Sequence, residues 1–242
     1  MIEIPFVGQS YKMDALDVSA QRCVNMYPEI YDDGKTKTVA SLRSTHGLAS
    51  FVNQSGSNSN RGLYKSSTGT FFSLRGATLS RISTAGTEAS VTTLSTGDFP
   101  GEDTLVTFAD NQTYMLIADG TSSPRVIDLT DYTASTVSDA DYPGGRFCGI
   151  LDGFYIVNKP NTLFAYYSSL DDPTVWSSDN DITKEGTTDY INGLIVNDRR
   201  LWLFGEDSYE VHRNTGNASA QFLRIEGTYT EIGLHAPDSL AG

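Results

Sequence analysis

Apolar and polar positions along the chain follow one plan four times over: a short apolar run, a turn, a second run, another turn, a third run. The first set reads Gly62-Leu-Tyr-Lys, a turn at Thr68-Gly69, Thr70-Phe-Phe-Ser-Leu, a turn at Gly76 and Thr78-Leu-Ser-Arg-Ile. The second reads Leu105-Val-Thr-Phe, a turn at Asp110-Asn111, Thr113-Tyr-Met-Leu-Ile, a turn at Asp119-Gly120 and Arg125-Val-Ile-Asp. The third reads Phe147-Cys-Gly-Ile, Asp152-Gly153, Phe154-Tyr-Ile-Val, Pro160-Asn161 and Thr162-Leu-Phe-Ala-Tyr. The fourth reads Ile191-Asn-Gly-Leu-Ile, Asn197-Asp198, Leu201-Trp-Leu-Phe, Gly205 to Asp207 and Ser208-Tyr-Glu-Val. Asp-Gly and Asn-Asp between apolar runs supply the positive φ that two-residue hairpin turns require. Gly149 and Gly193 are 44 residues apart, and Gly62 precedes Gly149 by 87. Each set is followed by a weaker strand signal, around Val91, Val137, Val175 and Phe222.

Four strands in each of several 40–50-residue repeats is the pattern of β-propeller blades. The predicted class is therefore all-β, with blades over about 62–97, 104–140, 147–180 and 191–227. A β-sandwich with turns every 8–12 residues is the competing arrangement. Alignment of both turns and strands across four copies favours the propeller. A further blade is expected to open at 237–242, so the ring is read as incomplete within this chain: either the sequence is part of a longer one, which is the favoured reading, or residues 1–60 or a partner complete the ring. Residues 1–60 differ in character. Ile2-Glu-Ile-Pro5-Phe-Val-Gly8 and Val24-Asn-Met-Tyr27-Pro28 are short extended pieces, and Ser50 to Asn60 is a polar Gly/Ser/Asn-rich linker. This segment reads as an N-terminal arm or adaptor able to lend a strand to another sheet.

Charge narrows the function. The 242 residues carry 17 Lys+Arg against 30 Asp+Glu, a formal −13. Residues 1–60 are nearly neutral, with 5 basic and 6 acidic side chains, whereas residues 61–242 hold 12 and 24. Tight phosphate binding needs clustered Lys and Arg, and the nearest approach is the pair Arg199–Arg200. Cys23 and Cys148 are too few for a disulfide framework and read as reduced, packed thiols. No secretory leader or membrane-spanning run is legible, so the sequons at Asn53, Asn111 and Asn217 carry no weight.

Order and spacing of several short motifs resemble the packaged-DNA stabilization proteins, also called tail nozzle or tail accessory proteins, of short-tailed bacteriophages. The motifs are Arg22-Cys-Val-Asn-Met-Tyr-Pro28, Leu42-Arg-Ser-Thr-His-Gly-Leu48 and Arg61-Gly-Leu-Tyr64. Farther on come Tyr167-Ser-Ser-Leu-Asp-Asp-Pro173 with Trp176, Arg200-Leu-Trp-Leu-Phe-Gly205, and Tyr209-Glu-Val leading to Thr215-Gly216. The resemblance implies a non-enzymatic virion protein, assembled in the host cytoplasm into a ring, usually a hexamer, below the portal and adaptor rings. Such a ring extends the DNA channel, helps retain the packaged genome and meets the tail needle or plug and the fibres or spikes. DNA would pass through it without specific binding, and no cofactor, metal or membrane insertion is implied.

The alternative is a carbohydrate-binding or glycoside-hydrolysing propeller. Hydrolysis needs two carboxylates about 5–9.5 Å apart, and Asp110, Asp152, Asp171 and Asp207 are candidates near strand ends. Asp110, Asp152 and Asp207 read as repeat-equivalent turn residues, where Asp bonds nearby backbone. His46, His212 and His235 are too few and scattered for a triad or zinc site. Asp179, Asp181, Thr183 and Glu185 alternate like calcium-loop oxygens, but Lys184 stands where such a loop wants Gly. Trp176, Trp202, Phe71, Phe72, Tyr155 and Phe204 could stack on a sugar, although strand alternation assigns most of them to the core. No catalytic residue is assigned.

Overall fold

The computed structural model of the protein describes residues 11–12, 20–21, 24–30, 40–47, 59–85, 88–96, 99 and 104–240. The chain divides into two compact units, Met1–Phe51 and Val52–Gly242. In the first unit β1 (Tyr11–Lys12) pairs with β2 (Ala20–Gln21), and β3 (Met26–Ile30) pairs with β4 (Ala40–Ser44). Asn25, with φ 55°, turns the chain into β3, and its carbonyl accepts from Thr45 N at 2.9 Å. The segment Ile2 to Gly8 and the linker from Ser50 to residue 58 lie outside the described residues.

In the second unit the described residues form four antiparallel four-stranded sheets, each from consecutive strands, and none closes into a barrel. The first blade is β5 (Asn60–Lys65), β6 (Phe71–Arg75), β7 (Thr78–Ala85) and β8 (Glu88–Thr96). The second is β9 (Thr107–Asp110), β10 (Tyr114–Ala118), β11 (Arg125–Asp128) and β12 (Ala134–Thr136). The third is β13 (Cys148–Leu151), β14 (Phe154–Asn158), β15 (Phe164–Tyr167) and β16 (Asp181–Thr183). The fourth is β17 (Gly193–Asn197), β18 (Arg200–Phe204), β19 (Tyr209–Asn214) and β20 (Phe222–Arg224). The all-β propeller reading therefore holds, and the sandwich does not.

Successive residues of a strand point to opposite faces, and the second strand of each inner blade carries an apolar run, residues 115–118 and 155–157, that is buried on both sides. In β10, Met115 and Ile117 pack with Phe72, Leu74 and Leu79 of the first blade. Their neighbours Leu116 and Ala118 pack with Tyr155 and Val157 of the third. In β14, Ile156 turns the other way, to Leu194, Leu201 and Leu203 of the fourth. The inner strands come so close that glycine is required on them. A β-carbon on Gly62 would stand 2.5 Å from Phe108 Cε2, and one on Gly149 would stand 2.8 Å from Val196 Cγ2. The 44-residue spacing of Gly149 and Gly193 is the trace of that packing.

Three details differ from the sequence reading. The third blade's outer strand is β16, not the stretch around Val175. Asp171 (φ 57°) and Pro173 break extended pairing there, and Trp176 instead buries edge-on against Tyr142 in the connection between β12 and β13. The first turn of the fourth blade uses Asp198 and Arg199, both with positive φ (51° and 53°), one residue later than expected. Residues 237–242, expected to open a strand, begin with a 3₁₀ turn, Pro237–Ser239.

Candidate functional site

The acidic turn residues are bound into the scaffold. Asp110 accepts from Tyr64 OH at 2.5 Å, from Ser67 N at 3.1 Å, from the Ser67 hydroxyl and from Gln112 N at 3.3 Å. It thereby ties the first blade to the second. Burial, with Asp110 beside it, pushes the Tyr64 phenol far above its ordinary value. Asp152 accepts from Arg199 Nη2 at 2.8 Å and Asn214 Nδ2 at 3.1 Å, tying the third blade to the fourth. Asp171 N donates to Gly153 O at 2.8 Å, and the Asp171 carbonyl accepts from Asn111 Nδ2 at 3.2 Å. Asp207 is not equivalent to Asp110 and Asp152: those two close the first hairpin of their blades, whereas Asp207 lies between β18 and β19, in the second. The repeat-equivalent turn role therefore applies to only two of the three.

The most concentrated polar chemistry in the described residues lies between the third and fourth blades, at residues the sequence reading did not single out together. Lys184 is 0% exposed. Its Nζ bonds the Asp189 carboxylate, Ser208 Oγ at 2.7 Å and Thr187 Oγ1 at 3.0 Å. Burial acts to raise the Asp189 carboxyl. Lys184 and the donors of Asp207 and Ser208 outweigh it and hold the group below the ordinary carboxylate value. Beside it Glu210, also 0% exposed, accepts from Glu185 N at 3.1 Å and from Gly186 N. His212 Nε2 stands 3.4 Å from the same carboxylate and Arg224 Nη1 3.8 Å. Burial again works against ionisation of Glu210, and His212 with the two loop N–H groups prevails, lowering its pKa. The loop 184–189 is thus pinned to Glu210 of β19 at one end and to Asp207 and Ser208, just before that strand, at the other.

The calcium-loop candidate lies next to this arrangement. Lys184 turns its ammonium away from Asp179, Asp181 and Thr183 to Thr187, Asp189 and Ser208, and Glu185 and Gly186 turn their N–H groups toward Glu210. Among the described residues no three His, Cys, Asp or Glu side chains are placed to hold a metal. A Ser208–Lys184 pair invites comparison with Ser–Lys nucleophiles, but here the ammonium also bonds Asp189 and Thr187, as part of the contact between the two blades. His212 is buried, His235 is exposed with Nδ1 3.5 Å from Glu206, and His46 is exposed in the other unit. Of the aromatic candidates, Phe72, Tyr155 and Trp176 are core. Trp202 and Phe204 stack at 14° on the outward face of β18, half-buried, with Tyr209 5.5 Å from Trp202. Arg199 pairs with Asp152 of the same chain rather than projecting alone.

The four inner strands and residues 237–240 surround an axial cavity of about 500 Å³, lined by Leu63, Leu105, Thr107, Cys148, Ile195 and Leu240 among others. Its walls mix aliphatic and aromatic side chains with Arg61, Thr107 and Asp238, and its size is far below that of a nucleic-acid duplex. Cys148 faces Thr107 there, and burial pushes its thiol up to about 12.

The resemblance motifs acquire physical roles. Arg61 is 1% exposed and donates to Thr104 O at 2.7 Å, Gly76 O at 3.0 Å and Phe99 O at 3.2 Å, fastening the loops of the first blade. In the Tyr167–Trp176 motif, Ser168 Oγ accepts from Tyr155 N at 3.1 Å and Asp172 caps Thr174 N at 2.8 Å. Trp176 Nε1 donates to Pro173 O at 2.8 Å, and its backbone N–H reaches Asp139 of the second blade at 3.0 Å.

Comparison with known proteins agrees with this scaffold. A family model described as "Bacteriophage P22 Gp10, beta-propeller" matches residues 2–241. No curated protein matches the chain. Among solved structures, PorZ of the type-IX secretion system of Porphyromonas gingivalis is similar with a TM-score of 0.46 and 10% identity over 70% of this chain. Apo AztD from Citrobacter koseri is similar with a TM-score of 0.42 and 16% identity over 83%. This chain spans 23% of the first of those chains and 53% of the second.

Proposed function

From the membership of this chain, over residues 2–241, in the phage stabilisation family of bacteriophage P22 Gp10, to which it plainly belongs, we propose that it works in the phage tail as a ring subunit that helps hold packaged DNA. The family match supports a structural, virion-associated phage protein. The single observation that carries the finer reading is where the polar chemistry goes. Asp110, Asp152, Lys184, Asp189 and Glu210 each spend their hydrogen bonds on fastening one blade to the next, as a building block requires.

Copies of the chain assemble as a ring, a hexamer, below the portal and adaptor. Needle or plug and fibres or spikes dock on its outer surfaces. DNA travels along the axis of the oligomer, since the axial cavity of one chain is too narrow for a duplex. Acidic excess, 24 of the 30 Asp and Glu lying in residues 61–242, lets phosphates slide past without adhering. The protein performs no turnover.

The test is a phage deprived of this gene product. Heads should fill with DNA and then lose it, and adding the purified chain should restore retention. Particles that keep and eject their genome normally without the protein would overturn the proposal. Cleavage of a glycan that is abolished by Asp110→Asn or Asp152→Asn would transfer the case to the carbohydrate-active alternative.

A further inference from the structure

One pocket leaves its polar groups unspent. It opens at the junction of the second and third blades, where the connection from β12 to β13 meets β15, and encloses about 240 Å³. Asp141, Tyr142, Pro143, Lys159, Tyr166 and Ser178 line it. At the junctions described above, donors and acceptors are used to fasten neighbouring blades. Here the Asp141 carboxylate, the Lys159 ammonium, the Ser178 hydroxyl and the Tyr166 phenol make no hydrogen bond to another described residue.

The walls that carry these groups are fixed. Asp139 accepts from Asp141 N and from Trp176 N, each at 3.0 Å, which ties the connection to the Tyr167–Trp176 motif. Asn180 N donates to Ser177 O at 3.0 Å and closes the turn that holds Ser178. Lys159 N donates to Phe164 O at 2.9 Å across the β14–β15 hairpin, and its Nζ stands 5.6 Å from the centre of the Tyr166 ring. On β15, Phe164 and Tyr166 flank the buried Ala165, so both rings fall on one face, with centres 6.5 Å apart. Tyr166 packs against the core between the second and third blades while also lining the pocket, and Phe164 beside it is exposed.

We infer that this pocket binds a single neutral pyranose ring, a hexose or an N-acetylhexosamine. A pyranose offers an apolar C–H face and a rim of hydroxyls. The Tyr166 ring and Pro143 answer the face, and a carboxylate, an ammonium and two hydroxyls answer the rim with acceptors and donors. Bonds to the charged pair, Asp141 and Lys159, are of the stronger kind. Those two charges cancel within the pocket while the chain as a whole carries −13, which selects against an anionic sugar. A peptide adding a strand would use an open sheet edge, and no residue of the outer strand β16 lines this pocket. Asp141 is the one carboxylate in the lining, whereas hydrolysis takes two, so the sugar is bound and released unchanged. The site goes beyond the structural role proposed above and does not depend on it.

Saturation-transfer difference NMR on the full chain tests this, with methyl glucoside, methyl galactoside and N-acetylglucosamine at about 10 mM and glucuronate as the anionic probe. A ligand of this size in one small pocket should bind with a Kd on the order of millimolar, and saturation should concentrate on the ring C–H protons of one sugar face. Tyr166→Ala, checked for folding by far-UV circular dichroism, should weaken binding about tenfold. Asp141→Asn, a change at an exposed side chain, should weaken it about fivefold. Tyr190→Ala, at an exposed tyrosine outside the pocket, should leave it unchanged. Absence of transfer to every neutral sugar, transfer that survives both pocket variants, or a preference for glucuronate overturns the proposal. Phage carrying Asp141→Asn should retain DNA as the wild type does, so failure of the sugar site and failure of the structural reading are told apart.

Discussion

Replacing Lys184 with methionine tests whether the polar knot between the third and fourth blades is a fastening. The substitution keeps the length of the side chain and deletes its ammonium. Asp189 then loses its counter-charge but keeps the N–H groups of Asp207 at 3.0 Å and Ser208 at 3.1 Å. Removing one partner of a buried pair typically costs about 3–5 kcal/mol, because the other charge is stranded. With remaining donors softening that cost, the lower end, about 3 kcal/mol, is expected. At an m-value of about 2 kcal/mol/M in urea that is a fall of about 1.5 M in the midpoint. Both tryptophans, Trp176 and Trp202, lie in the blades, so intrinsic fluorescence follows this unit. The pH dependence carries a sign. Asp189 has a folded pKa below its unfolded one, so its contribution is complete above the ordinary carboxylate pKa and is lost as pH falls through the depressed value. The wild type should lose part of its advantage over Lys184→Met on acidification below about pH 4. Lys184→Met with Asp189→Leu, which removes both charges, should recover most of the loss. A single-variant cost below about 1 kcal/mol, or a double variant no better than the single, refutes the reasoning.

Arg61→Ala should cost about 3 kcal/mol, since it strands three carbonyls and opens a cavity. That is a fall of roughly 6–12 °C in Tm by calorimetry, and Arg61→Lys should restore only part because a point charge cannot reproduce the guanidinium fork. Gly149→Ala meets Val196 at 2.8 Å and should destabilise by about 1–3 kcal/mol through overpacking. Gly69→Ala, at φ 87° with open space around it, should cost only about 1 kcal/mol, the conformational penalty alone. Equal costs in urea titrations would contradict the close-approach argument. Cys148, with its thiol at about 12, should resist iodoacetamide at pH 8 in a Cys23→Ser background and label only in denaturant, as peptide mass spectrometry would show.

Legibility in the sequence followed periodicity. The four blades were readable because each hairpin is local: Asp152-Gly153 needs two positive φ values, and Asp-Gly announces them. Gly149 and Gly193 were readable as landmarks, though only the packing shows why a side chain is excluded there. What failed to show was long-range. Glu210 and His212 alternate with Tyr209 and Val211 in β19, and a charged residue in such a pattern reads as solvent-facing. Yet Leu203 pairs with Glu210 in register, which sends the charge inward to a loop some 25 residues away in sequence. Lys184 misled in the same way, since a lysine in an acidic loop looks solvated until Ser208 and Asp189 close over it. The Val175 stretch was misread because Val next to Trp resembles a strand, while Asp171 at positive φ and Pro173 already forbade one.

Distinct polar fastenings at each junction answer a problem that repeats create for themselves. Blades built to one plan have interchangeable apolar faces, and hydrophobic burial alone, being non-directional, would not tell one junction from another. The first junction is keyed by Tyr64 and Asp110, at 2.5 Å. In the second, Thr107 Oγ1 accepts from Cys148 N at 2.9 Å, and Tyr155 OH donates to Tyr114 O at 2.7 Å. The third is keyed by Lys184, Asp189 and Glu210. A misordered stack would leave one of these groups buried without its partner, at a cost of about 1–3 kcal/mol for a neutral group and more for a charge. Buried polarity here selects the order of blades more than it adds stability.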